Sequence, residues 1–148
     1  WTMQWAVTRG STSKPAYGSA IGCAVDGRYV YVAGTIENGA SLVQGETIVD
    51  SQGGDDVWIA KIDKLSQKVQ WITQLGSDGD DRLARYGGIS IDNAGNPIIY
   101  GDTNGEIYRA RSSSEDDSVD DVFAMSLDQD TGKILNNNQD LFLGGISS

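Results

Sequence analysis

The sequence can be laid over itself. Met3-Gln4-Trp5-Ala6-Val7-Thr8-Arg9-Gly10 matches Val69-Gln70-Trp71-Ile72-Thr73-Gln74-Leu75-Gly76, so that Trp5 and Trp71, and Gly10 and Gly76, stand 66 residues apart. Gly22-Cys23-Ala24-Val25-Asp26 matches Gly88-Ile89-Ser90-Ile91-Asp92 at the same spacing. The run Tyr29 to Thr35 corresponds to Pro97 to Thr103, and Asp55 to Asp63 matches Asp120 to Asp128, now 65 apart. Four landmarks in one order at a near-constant offset make this an internal repeat. A chain so organised folds as two copies of one supersecondary unit.

Each landmark has the character of a strand. Val30, Val32, Trp58, Ile62, Val122 and Phe123 are β-branched or aromatic, in short runs with period-two alternation. Turn signals separate them at Asp26-Gly27, Asn93-Ala94-Gly95-Asn96 and Asp130-Thr131-Gly132. No stretch has the i, i+3, i+4 apolar spacing of a long helix. The expected fold is all-β: two four-stranded antiparallel propeller-like blades plus a remnant of a third, with long loops, not a closed propeller. Residues 1–148 form a single domain in this reading. Repeat 1 covers about 3–68 and repeat 2 about 69–133, and 134–148 is a partial third repeat or tail. Long connections fall at about 36–54, where Ile48 and Val49 offer an extra strand, and at about 104–119, which is Ser-rich and acidic.

At these residues the chain resembles the SBBP-type β-propeller repeat. That pattern runs Trp-x-x-x-x-Gly, Gly-Ile-x-x-Asp-x-x-Gly-Asn, Tyr-Val-x-Gly-x-Thr and Asp-Val/Phe-x-x-x-Lys-Leu/Ile-Asp. The matches are Trp71 to Gly76, Gly88 to Asp92 with Gly95 and Asn96, Tyr31 to Thr35, and Asp56 to Asp63. Pro97 in a strand position and Ser126 in place of the Lys seen at Lys61 depart from it. The resemblance implies propeller blades and no particular activity. A closed propeller needs about four to eight blades, so two leave sheet edges and faces that need covering. In overall character the chain is also similar to a soluble β-rich extrinsic subunit of photosystem I in algae with red-lineage plastids. That similarity implies docking against basic subunits on the stromal face of the thylakoid, in a plastid.

Charge sharpens the expectation of a protein partner. Residues 1–76 hold 7 acids and 6 bases, whereas residues 77–148 hold 14 acids and 5 bases, giving the net charge of −10. Such a surface repels phosphate backbones and attracts basic protein surfaces, so nucleic acid is not an expected partner. No apolar run is long enough for a membrane span, although a peripheral position on a membrane complex fits. Cys23 is the single cysteine and allows no internal disulfide. The chain opens on Trp1 without a charged leader, as expected of a sequence from which any targeting peptide has gone.

Catalytic chemistry finds little support. The sequence has no histidine, which removes the commonest general base, the commonest metal ligand and every Ser-His-Asp or Cys-His arrangement. No catalytic residue and no cofactor is expected, and Cys23 reads as an inert strand residue. Asp55-Asp56 and Asp120-Asp121 repeat, which points to bonding of turn amides rather than to a unique acid pair. Asp78, Asp80 and Asp81 offer oxygen ligands to Ca²⁺, but without the spacing of an EF-hand loop. Trp1 and the acidic run Glu115, Asp116 and Asp117 are the partner-binding candidates; Ser112 to Ser118 also suits an acid-directed kinase. Tyr86, Tyr100 and Tyr108 offer a carbohydrate platform. Two functions follow as expectations: an extrinsic structural or docking subunit of a larger assembly, or a carbohydrate- or surface-binding module of a longer secreted repeat protein.

Overall fold

The computed structural model describes residues 18–39, 41–44, 47–85, 87–105, 107 and 121–135. They form ten strands: β1 (Gly18–Asp26), β2 (Tyr29–Ile36), β3 (Ser41–Gln44), β4 (Thr47–Asp50), β5 (Asp56–Asp63), β6 (Val69–Leu75), β7 (Asp81–Leu83), β8 (Ile89–Ile91), β9 (Pro97–Thr103) and β10 (Asp121–Ser126). All pairings are antiparallel, and the described residues include no helix and no closed barrel or propeller. The first sheet runs β1-β2-β5-β6. In the second, β10 pairs with one side of β9, while β7 and β8 share the other. The segment expected to hold one extra strand holds a hairpin, β3-β4, in which Leu42 and Val43 face Val49 and Ile48.

The registers show that the two sheets repeat each other, and they correct the sequence alignment by one residue. Val25 pairs with Val30 in the first sheet as Ile91 pairs with Pro97 in the second. Tyr31 pairs with Lys61 as Ile98 pairs with Ser126. Tyr29–Ile36 therefore corresponds to Asn96–Thr103, and Tyr29 does not match Pro97. The cause is the hairpin loop: Gly27-Arg28 lies between the paired Asp26 and Tyr29, whereas Asn93-Ala94-Gly95, one residue more, lies between the corresponding Asp92 and Asn96. Because side chains alternate with period two, a one-residue offset changes which face every residue of β9 occupies. Pro97 fits as the first residue of β9, where a missing N–H is tolerated.

The sheets pack face to face, β1 against β8 and both β2 and β5 against β7. Tyr31, Ala33, Val57, Ile59 and Leu75 of the first sheet meet Leu83, Ile89, Ile99, Phe123, Met125 and Leu127 in one core, joined by Ile107. Burying each large apolar side chain contributes about 1.5–3 kcal/mol, so this shared face is what joins the two copies.

The turns that follow β5 and β10 repeat down to individual bonds. The Asp63 carboxylate accepts the N–H groups of Leu65 and Ser66, and the Asp128 carboxylate accepts those of Asp130 and Thr131. The carbonyl of Asp63 accepts the N–H of Gln67, as that of Asp128 accepts the N–H of Gly132, each at 2.8 Å. Both turns place this last residue in the left-handed region, at φ 60° for Gln67 and φ 70° for Gly132. Only the second copy uses glycine, the residue that adopts this region without a steric penalty. A Cβ on Gly132 would lie 2.6 Å from the Trp71 ring. Replacing Gln67 by Gly should relieve the left-handed strain and stabilise the fold by about 0.5–1 kcal/mol, whereas Gly132→Ala should cost more than about 1 kcal/mol. Urea midpoints of the two variants check both signs.

Candidate functional site

Among the described residues three places concentrate polar or exposed groups. The first is an acidic seam at one end of the sheets, where the loop before β5 meets the loops before β7 and after β9. Gly54 N–H donates to the Gly79 carbonyl at 2.9 Å, and Asp55 N–H to Asp80 Oδ1 at 3.0 Å. Arg82 then joins Asp55 Oδ2 at 3.2 Å and Asp80 Oδ2 at 2.7 Å. Asn104 Oδ1 accepts Asp80 N–H at 2.6 Å. Asp81 accepts both the N–H and the hydroxyl of Ser77 through Oδ2, at 2.6 and 2.8 Å. Backbones approach so closely here that a Cβ on Gly79 would lie 2.8 Å from the Gly105 nitrogen.

This seam holds the residues considered for Ca²⁺. Asp80 is committed to Asp55 N–H and Arg82, Asp81 is buried on Ser77, and Asp78 is exposed. Among the described residues no group of three or more acidic, cysteine or histidine side chains is arranged to hold a metal ion. Asp56 is buried and accepts the N–H of Gln52 and Nε2 of Gln74 through Oδ2. Its burial, with the neighbouring Asp81 and Asp55 charges, pushes its carboxyl above the ordinary range despite those bonds. Asp121 is buried as well, and Asp120 lies outside the described residues. The duplicated acids of β5 and β10 thus open corresponding strands, and Asp56 bonds a loop amide.

The second place is a clamp between the sheets. Lys61, its side chain 5% exposed, donates to the Gln129 carbonyl at 2.6 Å and lies 4.0 Å from the Tyr29 ring centre and 5.8 Å from that of Tyr31. Trp71 packs against Tyr31 at 6.0 Å and donates Nε1–H to the same Gln129 carbonyl at 3.1 Å. Burial first, then the Asp26 and Asp130 charges, push the Tyr31 hydroxyl up to about 12. Thr73 adds a bond to the Gly132 carbonyl at 2.7 Å. Asp130 Oδ1, on the exposed side, stands 3.8 Å from the ammonium, and the whole group holds the turn after β10 against β5 and β6.

The third place is the outer face of the second sheet. Pairing of Ser126 with Ile98, Ala124 with Tyr100 and Val122 with Asp102 puts all six on one face, with Arg82 and Ser90 beside them. Tyr100 is 37% and Val122 48% exposed. The register equates this face with Tyr31, Ala33, Thr35, Val57, Ile59 and Lys61 of the first sheet, of which Tyr31, Ala33, Val57 and Ile59 are fully buried beneath the second sheet. The same surface is covered in one copy and open in the other. The sequence alignment, one residue out along β9, matched Tyr100 to Val32 instead of Ala33; of this face the sequence had singled out Tyr100 alone, as part of a carbohydrate platform.

Trp1, Glu115, Asp116, Asp117, Tyr86, Tyr108 and the Ser112 to Ser118 run lie outside the described residues. Cys23 stands in β1 opposite Val32. No described helix is long and apolar enough to cross a membrane.

Two carboxylates titrate in opposite directions. The Arg28 guanidinium bonds Asp63 and holds its carboxyl down to about 2. Its stabilising contribution is complete above the ordinary carboxylate range near about pH 4 and is lost as the pH falls through about 2. Asp56, shifted up, is disfavoured when ionised, so its penalty is present at neutral pH and is relieved on acidification. Urea midpoints measured from pH 7 to 2 should therefore show a flattened acid limb for Asp63→Asn. For Asp56→Asn, stability relative to the parent should rise with pH. Comparison with protein-family models, with curated proteins and with solved structures gave no match to this chain.

Proposed function

We propose that this chain is a non-catalytic docking module whose outer second-sheet face, built from Ile98, Tyr100, Val122 and Ala124, packs on another protein. The observation that carries this reading is the contrast between equivalent faces: fully buried at Val57 and Ile59, and 48% exposed at Val122. An apolar sheet face of this kind is a common site of protein association. If the sheets are blades of a propeller-like repeat, the face is the surface on which a following blade would stack. The acidic excess of residues 77–148 favours a partner with a basic rim, which would speed encounter more than it would tighten the complex. An extrinsic subunit of a membrane assembly such as photosystem I, resting on basic core subunits, is the form of this function that the sequence resemblance supports.

The test is mild isolation of the native protein and identification of what co-purifies, repeated with Val122→Glu. That substitution adds a charge to a half-exposed position and should change the unfolding free energy by no more than about 0.5 kcal/mol. The docking reading expects the co-purifying protein to be lost. Retention of the same partner by the variant would overturn it.

A further inference from the structure

The side of β10 turned away from β9 borders this face, and its geometry is that of an acceptor for a further strand. Ser126 O accepts the Leu135 N–H at 2.8 Å, whereas Leu127 N–H donates inward to Pro97 O at 2.9 Å. Backbone groups alternate along a strand, so Ser126, Ala124 and Val122 direct their N–H and C=O away from β9. Among the described residues that side is met only by Ile134 and Leu135. In the first sheet the same position is filled by β6, which pairs with β5 from Val57 to Ile62.

The chain that follows Ile134 is poorly suited to fill it. At the repeat offset, Trp71-Ile72-Thr73-Gln74-Leu75 becomes Asn136-Asn137-Asn138-Gln139-Asp140, with no aromatic or β-branched residue. The sequence does contain a second version of the β6 pattern, Met3 to Gly10. Charge also matches: residues 1–17 carry Arg9 and Lys14 and no acid, against 14 acids and 5 bases in residues 77–148.

We propose that the outer edge of β10 accepts residues 3–10 of a second copy of this chain as an added antiparallel strand. This edge adjoins the face proposed above but is a separate surface, so the exchange goes beyond the docking reading and does not depend on it. Transferring the β5-β6 register sets Trp5 opposite Ser126, Val7 opposite Ala124 and Arg9 opposite Val122. Trp5 then lies beside Ile98 as Trp71 lies beside Tyr31. Main-chain bonds supply the affinity of such strand addition, and alternate side chains supply the selectivity. Reciprocal exchange between two copies closes a dimer.

The experiment uses full-length chains in which Cys23→Ser removes the native thiol. Chains carrying Val7→Cys and Ala124→Cys are mixed and treated with a short thiol crosslinker. A two-chain product is expected, about tenfold above that from Ala6→Cys with Ala124→Cys, because residue 6 lies on the opposite face of the added strand. A synthetic peptide of residues 1–12 added in excess should suppress that product and return the untreated parent to monomer in sedimentation. Equal yields from the two pairs would overturn the proposal. So would a crosslink confined to single chains carrying both Val7→Cys and Ala124→Cys, which would assign the strand to the chain's own segment. Either failure, with Val122→Glu still losing its co-purifying protein, would sink the exchange and leave the docking reading standing.

Discussion

The shared apolar face between the two sheets is the constraint on which the remaining features rest. Ile59 and Tyr31 from one side and Ile99, Phe123 and Met125 from the other cannot reach water once the sheets meet. This explains why β5, with neighbours on both sides, is buried at nearly every position, whereas β10 alternates between buried and open. It also explains why the carboxylates caught at the ends of the interface take partners through one oxygen each, with Asp56 Oδ1 and Asp81 Oδ1 buried without a hydrogen bond. A buried carboxylate left without partners costs more than any one bond returns. Asp81 and Asp56 therefore draw in Ser77, Gln52 and Gln74, and loop geometry follows from their needs.

Much of the fold was legible because the repeat and the period-two alternation carry the same message. The strands, the Asp-centred turns and the absence of helix from the described residues follow from residue types at fixed spacing. What failed was register. Asn93-Ala94-Gly95-Asn96 reads as a turn, but nothing in those residue types says that the loop is one residue longer than Gly27-Arg28. Only the pairing of Ile91 with Pro97 decides it. That single residue decides which residues of β9 share a face, so Tyr100 could be singled out as a binding residue while its neighbours Ile98, Ala124 and Val122 could not. The seam was half legible: duplicated aspartates signal turn bonding, while the use of Arg82 to join Asp55 and Asp80 depends on distances that span two loops.

The Lys61 clamp shows a different limit. A lysine near the end of a strand ordinarily reads as solvent-facing, because its charge resists burial. Here the ammonium is received by two tyrosine rings, the Gln129 carbonyl and the Asp130 carboxylate, the last two reached only when the turn of the other copy folds over it. Such a pocket is composed of residues distant in sequence, and no local pattern announces it.

Modules that share one fold carry a hazard of their own, since each can mistake a neighbour for itself during folding. In the first sheet the clamp is Lys61 with Tyr29 and Tyr31, while the corresponding residues of the second are Ser126, Asn96 and Ile98. A turn that settled on the wrong module would find no ammonium for its carbonyl and no indole to donate. The clamp thus serves as an address label: apolar matching brings two similar surfaces together, and one unrepeated cation decides which surface belongs where.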